Sequence, residues 1–219
     1  MNIKVSVILP SLNVANYISE CIDSVISQSL QELEIICVDS GSTDGTVEII
    51  NNYAKQDARI RVINSDKKSY GRQVNLGLEY AQGKYVAIVE TDDFIAPDMY
   101  QCLYDYAKCD ELDYAAADFD IFYRFQSGRY YFIRQHLFDI RVQDWYEKVL
   151  DSNQIATLRA SDYVLWKGIY NRKFLNRNHI RLHESPSAAF QDMGFLQQVK
   201  TYAKKAKYID KSFYRYRQD

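Results

Sequence analysis

Over its first ninety residues the chain alternates short apolar runs with stretches of helical period, a pattern that few folds accommodate. Val5-Ser-Val-Ile-Leu9 stops at Pro10 and reads as a buried strand, followed by strands at Leu33 to Val38, Arg61-Val-Ile63 and Tyr85 to Val89. Between them Ile18, Cys21, Ile22, Val25 and Ile26 recur at helical spacing, then Val47, Ile50 and Ala54, then Tyr70, Val74, Leu78 and Ala81. Asp44 is placed to cap the second of these helices, and Gly83 closes the third. Such alternation builds a mostly parallel sheet flanked by helices, here a single α/β/α domain. At 219 residues the chain holds one substantial core, and no internal repeat or linker divides it.

Beyond Pro97 the regularity fades. Met99 to Ala107 reads as a helix, Tyr114 to Phe122 as a strand and Asp144 to Leu150 as a short helix, while Tyr130 to Phe138 fits neither period. Gln191 to Ala206 is a further amphipathic helix, with Phe195, Leu196, Val199, Tyr202 and Ala203 on one side. A locally basic run, from Lys200 through Lys204, Lys205, Lys207, Lys211 and Arg215 to Arg217, suits a solvated helix face or contact with an anionic membrane surface. The whole chain carries a formal charge of −2, so no global field favours nucleic acid. Cys21, Cys37, Cys102 and Cys109 form no C-x-x-C pair and read as buried free thiols of a reducing cytosol. No signal peptide is recognisable and no apolar run is long enough to span a bilayer, so the chain reads as cytoplasmic, with room for peripheral contact at the inner face of a membrane. It ends at Arg215-Tyr-Arg-Gln-Asp219 without a polar tail, which points to a longer parent protein.

Ligands of open α/β sheets sit at the carboxyl ends of the strands. Polar residues gather there: Ser11 and Asn13 after the first strand, Asp39 after the second, Asp92 after the fourth. Glu90-Thr-Asp-Asp93 sets three acidic side chains in four residues, and a Mg2+ or Mn2+ ion that also takes diphosphate oxygens would relieve their repulsion. A solvated acidic turn is the other reading. Asp39, with Gly41 and Gly45 close behind, either accepts hydrogen bonds from a base or ribose or forms a turn. Asp192 opens the late helix, where it serves as a plain cap or as a base. Pro10-Ser-Leu-Asn13 stands where a dinucleotide enzyme has its glycine-rich turn, and no Walker G-K-[ST] exists. Of the three histidines only His183 lies near Asp192 in sequence, and Tyr163, Trp166 and Tyr170 could form an acceptor platform or pack in the core.

Five segments, taken in order, resemble the family-2 glycosyltransferases of the GT-A fold: residues 5–13, 35–46, 71–77, 83–93 and 190–195. The resemblance spans nearly the whole chain and is weakest from about 120 to 160. It implies a Rossmann-like domain whose residues 1–93 bind a nucleotide-diphosphate sugar and whose residues 94–219 bind a glycan or lipid-linked acceptor. It implies that Pro10, Ser11, Leu12 and Asn13 line the nucleoside pocket, that Asp39 meets the base, usually uracil, and that Gly71 and Asn75 close over the donor. Glu90-Thr91-Asp92 matches the D-x-D motif, with Asp92 as ligand of a divalent metal (Mn2+ or Mg2+), and Asp192 matches the general base. Two positions depart from the family: Glu90 replaces the first Asp of D-x-D, and Gln191 replaces the Glu that commonly precedes the base. The implied chemistry is an inverting single displacement in assembly of a bacterial surface polysaccharide. A sugar nucleotidyltransferase would need a glycine-rich basic first loop, which Pro10 to Asn13 does not offer, and a carbohydrate-binding relative without turnover is the non-enzyme alternative.

Overall fold

A computed structural model describes residues 2–125, 128–136, 143–158, 162–186 and 190–218. Strand β1 (Val5–Ser11) is buried along its whole length, as its continuous apolar run requires. It pairs in parallel with β2 (Leu33–Asp39) on one side and β4 (Tyr85–Ile88) on the other, and β3 (Ile60–Asn64) adds in parallel beyond β2. Each crossover carries a helix: α1 (Ile18–Ile26), α2 (Thr46–Gln56) and α3 (Tyr70–Tyr80). α3 lies across β1 and β2, so closely that a Cβ at Gly77 would come within 2.5 Å of Ile8. The cap position of α2 is Gly45 rather than the expected Asp44, which one residue earlier accepts from the Thr46 amide (3.1 Å) and hydroxyl (2.6 Å).

The second half contributes β5 (Phe94–Ile95), α4 (Met99–Asp110), β6 (Tyr114–Arg124), β7 (Tyr130–Gln135), β8 (Val149–Leu150) and α5 (Ser152–Thr157). It closes with β9 (Gly168–Asn171), α6 (Arg172–Arg177), α7 (Gln191–Tyr202) and β10 (Ala206–Arg217). Among the described residues one sheet runs β3-β2-β1-β4-β9-β6-β10-β5, with β7 on β6 and β8 on β10. The α/β domain has its parallel order through β3-β2-β1-β4; antiparallel β9 then joins β4 to β6, and β10 runs parallel to β6.

Three further expectations are corrected. Residues 144–150 are not a helix: a 3-10 turn at Gln143–Trp145 leads to β8, whose Val149 and Leu150 pair with Lys207 and Ala206. The helix from Gln191 stops at Tyr202, and the basic run beyond it becomes β10 within the sheet rather than a solvated helix face. Its cations are largely paired: Lys207 meets Asp110 at 2.6 Å, and Arg215 meets Asp120 at 2.6 Å. All four cysteines are free, but Cys109 is exposed and Cys102 half-buried, so only Cys21 and Cys37 are core thiols. The ambiguous segment 130–138 is β7 over Tyr130–Gln135, and residues 137 and 138 lie outside the described residues.

Lys200 is fully buried, which requires specific partners. Its Nζ donates to the carbonyls of Leu158 (3.1 Å) and Asp162 and lies 3.3 Å from the Asp162 carboxylate. Lys167 pairs with that carboxylate as well, and the Tyr208 hydroxyl donates to it at 2.9 Å. Burial works to raise the Asp162 carboxyl, but the charges of Lys167 and Lys200 outweigh it and hold the group below its ordinary value. Removing one member of such a buried set leaves uncompensated charge. Asp162→Asn is therefore expected to lower stability by about 3–5 kcal/mol, read as a lower urea midpoint at unchanged slope.

Candidate active site

At the end of β4 the chain turns through Glu90–Asp93 into β5, and each residue of the turn has a different environment. Glu90 is half-buried and accepts from the Tyr70 hydroxyl at 2.5 Å. Thr91 is buried and donates its hydroxyl to the Pro10 carbonyl (2.9 Å), which ties the end of β4 to the end of β1. Asp93 is buried and accepts from the Tyr214 hydroxyl (2.7 Å) and the Arg217 amide (2.8 Å). Asp92 alone is exposed, and among the described residues its carboxylate takes part in no hydrogen bond or ion pair. Burial pushes the Glu90 carboxyl up to about 7, opposed by the Tyr70 bond and reinforced by the charges of Asp92 and Asp192. Burial and then Asp92 push Asp93 up to about 8, against the bonds from Arg217 and Tyr214.

This turn forms one wall of a cleft of about 430 Å3. Glu90, Asp92 and Tyr70 stand on one side, Asp192 with Phe190 and Met193 on another, and Tyr163, Trp166 and Tyr216 complete it. An adjoining cavity of about 290 Å3 shares Tyr70, Glu90 and Asp92 and continues along Pro10, Leu12, Lys68, Gln73 and Thr91. Asp192 sits in the first turn of α7, whose cap position is taken by Phe190 at φ 60° with no side-chain capping bond. Among the described residues the carboxylate bonds only backbone amides of its own turn, that of Met193 at 2.8 Å, and Asp192 is not the cap residue. Burial raises its pKa, and the Met193 bond opposes that shift.

The other residues expected at the site divide into lining and framework. Pro10, Leu12, Glu90, Thr91 and Asp92 line the cavities. Ser11 is buried behind them, its carbonyl accepting from Gln73 (2.7 Å) and the Ser40 amide (3.1 Å). Asn13 adopts φ 54° and accepts from the Thr43 amide, linking the first loop to the second. Asp39 accepts from the Gly41 and Ser42 amides (2.8 and 3.0 Å) and the Ser42 hydroxyl, the bonding of a turn-forming Asp. Gly71 and Asn75 do not line the cleft: a Cβ at Gly71 would come within 2.2 Å of the His183 carbonyl, and Asn75 bonds Leu182 through both its N–H and C=O (2.9 Å each). Both hold the segment that leads to α7. His183 is exposed and Tyr170 is a core residue, whereas Tyr163 and Trp166 do reach the cleft.

Three residues were missed in the sequence. Gln73 is buried in the middle of α3 and donates to the carbonyls of Ser11 and Val38, joining two strand ends. Tyr214 accepts the Glu90 amide (3.0 Å) while donating to Asp93. Arg217 donates through Nε to the Asp92 carbonyl (2.6 Å), pairs with Glu20 (2.6 Å) and lies over the rings of Phe122 and Tyr17 (4.7 and 4.8 Å). A buried Gln inside an apolar helical stripe was the available signal for the first; for the other two none existed until β10 was placed beside the turn.

A divalent cation fits at Asp92. Its carboxylate lines both cavities without a hydrogen bond or ion pair among the described residues, and neighbouring Glu90, raised chiefly by burial, is raised further by the charges of Asp92 and Asp192. Mg2+ and Mn2+ are commonly held by one or two carboxylates, with substrate phosphates completing the shell. A second acidic group, Asp118 with His136 and Asp210, does not fit a metal. The Arg134 guanidinium already bridges Asp118 and Asp210, and Tyr146 donates to the buried Asp118 at 2.5 Å.

The family model described as Glycosyl transferase family 2 matches residues 6–199. EpsJ of Bacillus subtilis, described as an uncharacterized glycosyltransferase, is 33% identical over 98% of this chain and 61% of its own length. The chain thus spans about three-fifths of that relative. Among solved structures, TarS 1–349 of S. aureus in complex with UDP matches with a TM-score of 0.77 at 22% identity, over 99% of this chain and 61% of that one. A mannosyltransferase of Pyrobaculum calidifontis in complex with GDP-Man and Mn2+ matches at 0.62 and 18%, over 95% of this chain and 55% of that one. These two likenesses establish the GT-A fold.

Tyr214→Phe removes one hydroxyl that serves both Glu90 and Asp93. Leaving a buried amide and carboxyl without that partner is expected to cost about 1–3 kcal/mol, measured by urea unfolding.

Proposed function

The chain belongs to glycosyl transferase family 2, and from that premise we propose that it moves a sugar from a nucleotide-diphosphate donor to an acceptor hydroxyl by a single inverting displacement. The carrying observation is that Asp92 and Asp192, exactly one hundred residues apart in the chain, line the same cleft from different elements. Asp192 is the general base. Its carboxylate is half-buried, spared from capping and raised in pKa, the condition in which a carboxylate takes a proton from a hydroxyl most effectively.

As the acceptor oxygen attacks the anomeric carbon, its proton passes to Asp192, and the bond from that carbon to the diphosphate breaks, the electron pair leaving with the nucleotide. One displacement inverts the anomeric centre. Asp92 would hold the divalent cation, Mn2+ or Mg2+, whose chemistry when bound is to stabilise charge on the leaving diphosphate. Pro10, Leu12 and Thr91 line the nucleoside side, and Ser11, Asn13 and Asp39 shape the loops behind them. Gly71 and Asn75 act on the donor site through the 182–184 segment. The neighbours solved with UDP and with GDP-Man and Mn2+ support a nucleotide-sugar donor, and UDP-sugars are the first to test. A glycan or lipid-linked acceptor in bacterial polysaccharide assembly is the matching role, with the enzyme working in the cytoplasm and touching the membrane only peripherally. No helix among the described residues is long and apolar enough to cross a membrane.

Asp192→Asn tests the assignment directly. Transfer is expected to fall by a factor of about 10²–10⁴, while UDP with Mn2+ still raises the melting temperature. Turnover at the parent rate would remove Asp192 from the mechanism. Because the base must be ionised and burial raises its pKa, kcat/KM should climb with pH along an acid limb displaced above that of an ordinary Asp, and a flat profile across that limb would contradict the role.

A further inference from the structure

The acceptor side of the cleft differs in chemistry from the donor side. Trp166 is stacked between Tyr214 (ring centroids 4.1 Å apart, 20° between planes) and Tyr216 (5.3 Å, 23°), which fixes a rigid aromatic floor. Two further rings line the cleft with little cover: Tyr163 is 56% exposed and Phe190 77% exposed, and neither contacts another ring among the described residues. Phe190 immediately precedes the first turn of α7, two residues from Asp192, so a group lying on it is brought beside the base. The charges of this space are all negative, from Glu90, Asp92 and Asp192, and no Lys, Arg or His lines it among the described residues. Lys68 lines only the adjoining cavity that continues toward Pro10 and Leu12.

We infer that the reacting end of the acceptor is an uncharged pyranoside laid against Tyr163 and Phe190, which act as specificity-determining residues. This rests on the transferase reading. A pyranose ring combines an apolar C–H face with a rim of hydroxyls. The C–H face matches an aromatic face, whose quadrupole is negative where the sugar hydrogens are positive. The rim hydroxyls match the Asp192 carboxylate, which stands at the same end of the cleft as Phe190. A phosphate or uronate at the reacting end would meet the Asp192 carboxylate, and no basic side chain among the described residues of the cleft would pair with it. A bare lipid chain would satisfy the rings but offer the Asp192 carboxylate no hydroxyl.

The test offers wild-type protein, with a UDP-sugar that it hydrolyses and Mn2+, two sets of acceptors. One contains methyl glycosides of glucose, galactose and N-acetylglucosamine; the other contains their 6-phosphates, a methyl glucuronide and ribitol 5-phosphate. Transfer to the best neutral glycoside is expected to exceed that to every anionic acceptor by at least about tenfold in kcat/KM. Tyr163→Ala and Phe190→Ala should each raise the acceptor KM roughly three- to tenfold, with a smaller change in donor KM, and Tyr163→Phe, which keeps the ring, should restore it. Equal or better transfer to anionic acceptors, or an acceptor KM indifferent to both alanine substitutions, overturns the inference. Donor hydrolysis without transfer to any neutral pyranoside overturns it alone, whereas a protein that neither hydrolyses nor transfers from any sugar nucleotide takes the transferase reading down with it.

Discussion

Three carboxylates occur within four residues at the end of a buried strand, where low dielectric makes like charges costly to hold together. Each is accommodated differently. Glu90 lines the cleft bonded to the Tyr70 hydroxyl, Asp93 turns into the core against Tyr214 and Arg217, and Asp92 is exposed to the cleft without a partner among the described residues. The guanidinium of Arg217 lies behind the turn, bonded to the Asp92 carbonyl and anchored on Glu20. It thus fixes the backbone of the turn from behind. The last strand of the fold is as much a part of the site as the strand that carries the acidic turn.

A similar division of labour governs Asp192. Asp192 is delivered by α7, and the segment before that helix is fixed at a distance by α3. Gly71 admits the His183 carbonyl to a spot that a Cβ would occupy, and Asn75 reads the backbone of Leu182 through both of its amide atoms. Helix α3 thus ties together the ends of β1 and β2 through Gln73 and holds the 182–184 segment through Gly71 and Asn75. Beneath the aromatic floor, Asp162, Lys167 and Lys200 form a buried ionic set adjacent in sequence to Tyr163 and Trp166.

Legibility in the sequence followed the range of the interactions involved. The four parallel strands and three helices of the first half emerge close to their predicted bounds, because each apolar run is set by its own burial on both faces. Asp92 and Asp192 were recognisable because they sit at a strand end and a helix start. Residues 144–150 show why the second half was harder: Trp145, Tyr146, Val149 and Leu150 have helical spacing, yet Val149 and Leu150 pair with β10. The basic run after Lys200 failed in the same way. Its charges suggest a solvated helix until Asp110 and Asp120, on α4 and β6, are seen to neutralise Lys207 and Arg215.

The sequence by itself determined the alternating sheet, the acidic turn after its fourth strand and the presence of a carboxylate at the head of a late helix, since these depend on local periodicity and neighbouring residues. Only the tertiary structure decided that Asn75 bonds the backbone of Leu182 and that Tyr214 and Arg217 hold the turn from behind. Those outcomes rest on pairings between residues separated by more than a hundred positions, such as Asp93 with Tyr214, and no local pattern encodes the register that brings such partners together.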